Sequence, residues 1–456
     1  MVTPYDLPIP FHDYAYACAG MIVLTFAVLL VVPPGARAAA SVGPAWRVPK
    51  ALVRALRTAA IVLLAFAIVA GLLGAQSPIS NPAPFLVWTA LMLGLTLATV
   101  VIGDVFALAN PWHALARLLG LGNRPRLPYP AWLGHWPALA SYLGLAWLEL
   151  MAPPLPWLLA ATLAGYTAVS LAGAALFGRL AWFGQAELFG HFFRSVGTMA
   201  PLTWRNEGGD WIICRRPALS GRYDDMAVNQ AGSSRLATIL FILFMLAATT
   251  YDGVWQTSFW AEIYWHNLMH WLQPLWHGDY RRAQDMLAPG YAIYQRGGLF
   301  AAPIAYLLVF LPVVALTRAL SHRRVGLLEL ADRFAPSLIP IAVGYMIAHN
   351  WTAILSSFPV VPFLVTDPFG LGWNLIGLPP LMAAEPPPLD MGRVWHTEVI
   401  LILAGHVASV YAARQVELAS FPITKQAWVA ELPILVLMVG YTFVGLIVLS
   451  LPLALH

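Results

Sequence analysis

LFAAPIAYLLVFLPVVALTRAL, the run from Leu299 to Leu320, carries a single charge, Arg318, close to its end. An apolar stretch of about 18 residues or more without charge is long enough to cross the hydrocarbon layer as a helix. Directly after it come Arg323, Arg324 and Arg333, and then another apolar run. Working outward in both directions, the same alternation recurs and predicts about ten spans. They are approximately Tyr14–Val32, Thr58–Ala75, Pro84–Gly103, Leu133–Met151, Leu155–Leu176, Ser234–Thr250, Leu299–Leu320, Pro336–Ser356, Val394–Ala413 and Trp428–Leu453.

The gaps between these spans alternate in charge. Of 25 Lys and Arg residues, all but Arg281, Arg282, Arg296 and Arg393 fall in the first, third, fifth, seventh and ninth gaps. Bases in short loops stay on the cytoplasmic side. The pattern therefore predicts an all-α polytopic transmembrane bundle with both termini extracytoplasmic. A chain that is 60% hydrophobic and 10% charged, with a mean hydropathy of +0.71, is too apolar for a soluble enzyme. Barrel strands would show short segments of alternating polarity, and none appear. The net charge of +4 is explained by topology, so no nucleic-acid partner is expected; the lipid bilayer is. Met1 to Asp13 has Asp6 and Asp13 but no base, so no cleavable signal peptide is expected. Cys18 and Cys214 fall on opposite sides of this map and should not pair.

The whole chain, residues 1–456, reads as one membrane domain with three long gaps. Residues 177–235 hold an aromatic piece (Trp182, Phe183, Phe189, Phe192, Phe193) that reads as a helix lying in the headgroup interface, followed by a polar loop. Residues 251–296 form an outer loop rich in Trp and His, with Trp255, Trp260, Trp265, Trp271 and Trp276 read as an aromatic belt. Residues 358–392 are rich in Pro and Gly, including Pro386-Pro387-Pro388.

A polar side chain within a span is costly unless it is paired or used. His349 lies two-thirds along the eighth span and His406 near the middle of the ninth, with His396 and Glu398 at the ninth span's outer end. Neutral imidazole ligates metals and shuttles protons, and interhelical hydrogen bonding is the bland alternative. In the outer loop His266 and His270 have the i, i+4 spacing of metal ligands, but Asn267 stands where a zincin needs Glu. Glu149 falls near the outer end of the fourth span, and Asp104 and Asn110-Pro111 read as a turn or helix start. Gly370 to Asn374 follows no strand and is no nucleotide loop.

Several phrases, in order over nearly the whole chain, resemble a bacterial polytopic membrane family labelled fenitrothion hydrolase. They are Tyr5 to Pro10, Asp104 to Trp112, Tyr129 to Pro137, Trp147-Leu148-Glu149, Thr250-Tyr251-Asp252-Gly253, Gly344 to His349, Asp367 to Asn374, Gly405-His406 and the last span with Tyr441. The resemblance implies a multi-pass protein of a bacterial inner membrane that hydrolyses a small apolar phosphotriester. It supplies no catalytic residues to carry over. Members often have a His-Gly segment ahead of the Asp-Leu-Pro phrase, and here Tyr5 precedes Asp6.

Phosphotriester hydrolysis needs a strong nucleophile and charge stabilisation at the phosphoryl oxygen, and a divalent transition metal supplies both. The expected ligands are His349, His396 and His406 with Glu398, Asp252 serves as ligand or base, and His266 and His270 form a second candidate pair. Two other readings stand beside this one. The same polar residues could line the path of a proton-coupled or small-solute transporter, or His349 and His406 could hold haem or copper in a redox subunit.

Overall fold

The computed structural model describes residues 11–31, 45–215, 219, 232–272, 279–321, 325–378, 389–420 and 427–450. Sixteen helices follow in chain order among them. The first is α1 (Phe11–Val31), followed by α2 (Lys50–Leu73), α3 (Pro82–Ile102), α4 (Phe106–Ala109), α5 (Pro111–Leu118) and α6 (Trp136–Leu150). Next come α7 (Pro156–Phe177), α8 (Arg179–Gln185), α9 (Leu188–Gly197), α10 (Gly232–Trp255) and α11 (Ser258–Leu272). The last five are α12 (Tyr280–Leu320), α13 (Leu327–His349), α14 (Trp351–Thr366), α15 (Met391–Ser420) and α16 (Ala427–Ser450).

Among the described residues 9 helices are long and apolar enough to cross a bilayer: α1, α2, α3, α7, α10, α12, α13, α15 and α16. Their outward surfaces carry large apolar residues in the open, such as Leu63, Leu308, Ile400 and Val436. Water would not tolerate so much apolar surface; lipid does. The expected fourth span is shorter than the rest. His135 precedes α6, Pro137 sits in its first turn, and only 15 residues are helical. At 1.5 Å per residue that is about 22 Å, less than the hydrocarbon thickness of about 30 Å.

Helix α10 is the axle of the bundle. Nearly every side chain from Ile239 to Ala247 is buried, and α10 packs against α6, α12 and α13. Beside it α13 and α15 cross backbone to backbone. A Cβ on Gly344 would lie 2.8 Å from the Leu401 carbonyl oxygen, and one on Gly405 would lie 2.6 Å from that of Pro340. Small residues at such a crossing let helices approach and gain dispersion contacts where lipid offers no hydrophobic driving force. The crossing also fixes the relative depth of every side chain on the two helices.

Three expectations change at the ends of the bundle. The aromatic stretch after residue 177, read as an interfacial helix, is packed within protein. Phe189, Phe192, Phe193 and Val196 of α9 are buried, packed against α3, α4, α6 and α13. An aromatic amphipathic segment satisfies either environment, and here protein covers it. Beyond it, β2 (Leu202–Glu207) and β3 (Asp210–Arg215) form an antiparallel hairpin, turned at Gly208 and Gly209 with φ of 60° and 97°. A two-residue strand, β1 (Trp46–Arg47), adds to β3, giving the order β1-β3-β2. Lys50 pairs with Asp210 at 2.9 Å, and the Trp204 indole donates to the Ile102 carbonyl at 2.6 Å, so the small sheet is fastened to the base-rich end.

The outer loop at 251–296 is largely a helical hairpin. Helix α12 runs unbroken for 41 residues despite Pro289, Pro303 and Pro312. Its first half lies along α11 through stacked rings, with Trp260 and Tyr294 centroids 4.6 Å apart. The Tyr264 hydroxyl donates to the Leu287 carbonyl at 2.9 Å. Trp260 and Trp265 therefore pack within protein, whereas Trp271 is exposed. Trp276, His277 and Pro386-Pro387-Pro388 lie outside the described residues.

Candidate functional site: an acid–histidine cluster at the base-poor end

Four helices end at the base-poor face with a titratable side chain apiece. Asp252 is in the last turn of α10, His349 is the last residue of α13, Glu149 is in the last turn of α6, and Glu398 is in the second turn of α15. The position of His349 has a local cause. Asn350 leaves the helical basin at φ −94° and ψ 11°, so the helix stops and α14 starts in a new direction. The imidazole is thus presented at a terminus and not on a helix flank.

His349 Nε2 lies 2.9 Å from Asp252 Oδ2, a hydrogen-bonded pair. Glu149 and Glu398 both act electrostatically on His349, and Glu149 also acts on Asp252. All four keep accessible surface: the His349 and Asp252 side chains retain 23% and 27%, Glu398 is half-buried and Glu149 is exposed. Room for the pair comes from Gly253. A Cβ there would fall 2.2 Å from Val448 Cγ1 and 3.5 Å from His349 Cε1. A side chain at 253 would crowd Val448 of α16 while only touching the imidazole.

Beneath the pair lies a set of buried hydroxyls. The Tyr345 ring is 6.3 Å from that of His349. Thr250 and Tyr306 share a hydrogen bond of 2.7 Å, and Tyr306 stacks on Tyr441 at 5.3 Å. The hydroxyls of Tyr345 and Tyr441 are buried without a protein hydrogen-bond partner. Buried polar groups are nearly always satisfied, so both hydroxyls are free to take a further hydrogen bond, Tyr345 beside His349 and Tyr441 beside Tyr306.

Of the sequence-predicted residues, Asp252, His349 and Glu398 come together and the rest do not. His396 is exposed, with Nδ1 2.6 Å from the Gly392 carbonyl and Nε2 3.4 Å from the Tyr14 hydroxyl. It stands two residues from Glu398, and positions i and i+2 on a helix face different ways. His406 is 2% exposed, with Nδ1 2.8 Å from the Ile402 carbonyl and Nε2 unpartnered. Eight residues separate it from Glu398, about 12 Å along the axis. His266 and His270 are exposed on α11. Among the described residues no three His, Cys, Asp or Glu side chains group so as to hold a metal ion. The five expected metal-site residues are thus divided, with Asp252, His349 and Glu398 in one cluster and His396 and His406 apart from it. Sequence reasoning placed Glu149 near a span end without joining it to His349, and it named Tyr345 and Tyr441 only within the phrases of the family resemblance; Tyr306 gave no signal.

A second buried carboxylate, near the base-rich end, contrasts with these. Glu187 begins α9 and accepts from the backbone N–H of Phe189 at 3.0 Å and of Gly190 at 2.7 Å. Asn110 Nδ2 donates to it at 3.0 Å and the Tyr166 hydroxyl at 2.6 Å. Burial pushes its carboxyl above the ordinary range while these four donors pull it back. Asn110 also caps α5 by accepting from the His113 N–H at 2.9 Å, so the predicted helix start at Asn110-Pro111 is also an interhelical tie. Comparison with protein-family models, with characterised proteins and with solved structures finds nothing that matches this chain.

Proposed function

We propose that this chain is a proton-linked membrane carrier for a small solute, loaded with protons at the Asp252–His349 pair. The observation that carries the reading is that pair itself: accessible, coupled to Glu149 and Glu398, and backed by the unpartnered Tyr345 and Tyr441 hydroxyls. Ionisable groups inside a membrane bundle are expensive and are retained along ion paths and proton relays. Imidazole shuttles protons, and a hydrogen-bonded carboxylate fixes which way the ring is turned. With three carboxylates around one histidine, the site attracts cations. The base-rich end faces the cytoplasm in this reading, so the pair loads from the outer side.

The test is proton uptake into liposomes holding the purified protein, driven by an imposed potassium-diffusion potential. Uptake above that of protein-free liposomes is expected, cut at least tenfold in Asp252→Asn and His349→Gln. Variants that match the unmodified protein would overturn the reading.

Metal-dependent phosphotriester hydrolysis, which the family resemblance implies, is the second reading. One observation favours it: Asp252, His349, Glu149 and Glu398 are all metal-ligating side-chain types. They do not form a three-ligand set, so no hydrolytic step is derived through a metal. One equivalent of zinc or manganese in the purified protein, lost in His349→Gln together with leaving-group release, would replace the carrier reading.

A further inference from the structure

At the base-rich end three guanidiniums converge from three helices: Arg57 on α2, Arg117 on α5 and Arg179 at the start of α8. Arg57 Nε donates to the Leu108 carbonyl at 3.0 Å, and Arg179 Nη1 to the Leu121 carbonyl at 3.3 Å, so the backbone holds both in place. Each of the three acts electrostatically on His113 of α5, and they act on one another. None is in an ion pair among the described residues. Arg179 Nε is buried with no hydrogen-bond partner. Three like charges held together this way repel, and the surplus has a readable effect. Burial, then Arg179, Arg57 and Arg117, hold the His113 imidazole down at about 4.

Three guanidiniums, two of them backbone-braced and none with a carboxylate partner among the described residues, suit an anion, and guanidinium geometry suits phosphate oxygens. Nearby side chains indicate where that phosphate comes from. Leu118, Leu119 and Leu180, next to Arg117 and Arg179 in the chain, and Leu127 in the connection after α5, are all exposed. Leucines standing open beside arginines suit the boundary where acyl chains meet headgroups, and bulk water would not favour them.

We infer that Arg57, Arg117 and Arg179 form a binding site for the phosphate of an anionic phospholipid headgroup, with the exposed leucines against its acyl chains. The site is separate from the Asp252–His349 cluster and does not depend on the carrier reading.

The experiment is native mass spectrometry of the full-length protein in mild detergent, titrated with phosphatidylglycerol or phosphatidylcholine. Arg57 and Arg179 also brace the backbone, so the variants are Arg117→Gln and Arg117→Glu at the exposed member, with thermal midpoints read in parallel. One phosphatidylglycerol is expected per chain, bound about fivefold less tightly in Arg117→Gln and less again in Arg117→Glu. Phosphatidylcholine should bind more weakly and respond little to either variant, and the midpoints should not move. Equal phosphatidylglycerol binding by all three proteins would overturn the site. Displacement of the lipid by inorganic phosphate at equal concentration would overturn the headgroup as its source.

Discussion

Glu187 and Asp252 are both carboxylates drawn into a helical bundle, and they are treated in opposite ways. Glu187 is 1% exposed and receives four hydrogen bonds, two from backbone and two from side chains of other helices. Asp252 receives one, from an imidazole, keeps accessible surface and shares its surroundings with two further acids. A carboxylate whose lone pairs are all engaged ties helices together. One left half-engaged keeps lone pairs open to a further hydrogen-bond donor. On the carrier reading, the difference separates a structural acid from a working one.

The sharpest way to break that contrast is to remove both acids. Glu187→Ala leaves the Phe189 and Gly190 N–H groups, Asn110 and Tyr166 short of an acceptor, and the expected loss is about 3 kcal/mol or more. Asp252→Ala removes one partly solvated pair and should cost about 1 kcal/mol or less. Denaturation of the two variants in one detergent compares them directly, and equal losses would erase the distinction.

Next in size is the crossing that sets the cluster's depth. Gly405→Leu drives a side chain into the Pro340 carbonyl and should destabilise by about 1–3 kcal/mol. It should also separate His349 from Glu398, seen as a change in the His349 ring resonances. A smaller effect comes from pH at the base-rich end. His113 is held neutral in the fold, down from its ordinary 6.5 to about 4. The unfolded chain therefore binds the proton first. Stability is full above pH 6.5 and falls as pH drops from there toward 4. His113→Gln should flatten that acid-side decline, and an unchanged slope would assign it to other groups.

Much of the fold was legible because lipid imposes a simple rule: long uncharged runs must become helices. The alternation of bases was legible through a separate rule, that bases in short loops stay on the cytoplasmic side. What was hidden depended on contacts between distant segments. Phe189, Phe192 and Phe193 have the same pattern whether headgroups or helices cover them. The strands at 202–215 are short and half polar, and pairing with Trp46 and Arg47 could not be read locally. His349, Asp252 and Glu398 were visible as polar residues at or near span ends, while Glu149 acquires its meaning only where α6 stops short beside α10. His396 misled because proximity in sequence to Glu398 is the opposite of proximity in space two residues along a helix.

Helix α12 gives the molecule a lever. Its 41 residues extend about 62 Å, twice the hydrocarbon thickness of about 30 Å. Pro303 removes one backbone hydrogen bond three residues before Tyr306, the residue tied to Thr250. A bend at that point would act directly beside the Thr250–Tyr306 hydrogen bond. From Tyr280 to Pro303 the arm is about 35 Å, so a bend of about 10° there moves its far end by about 6 Å. Read in reverse, a sweep of several ångströms by the aromatic hairpin is geared down to a fraction of that at the Tyr306 hydroxyl.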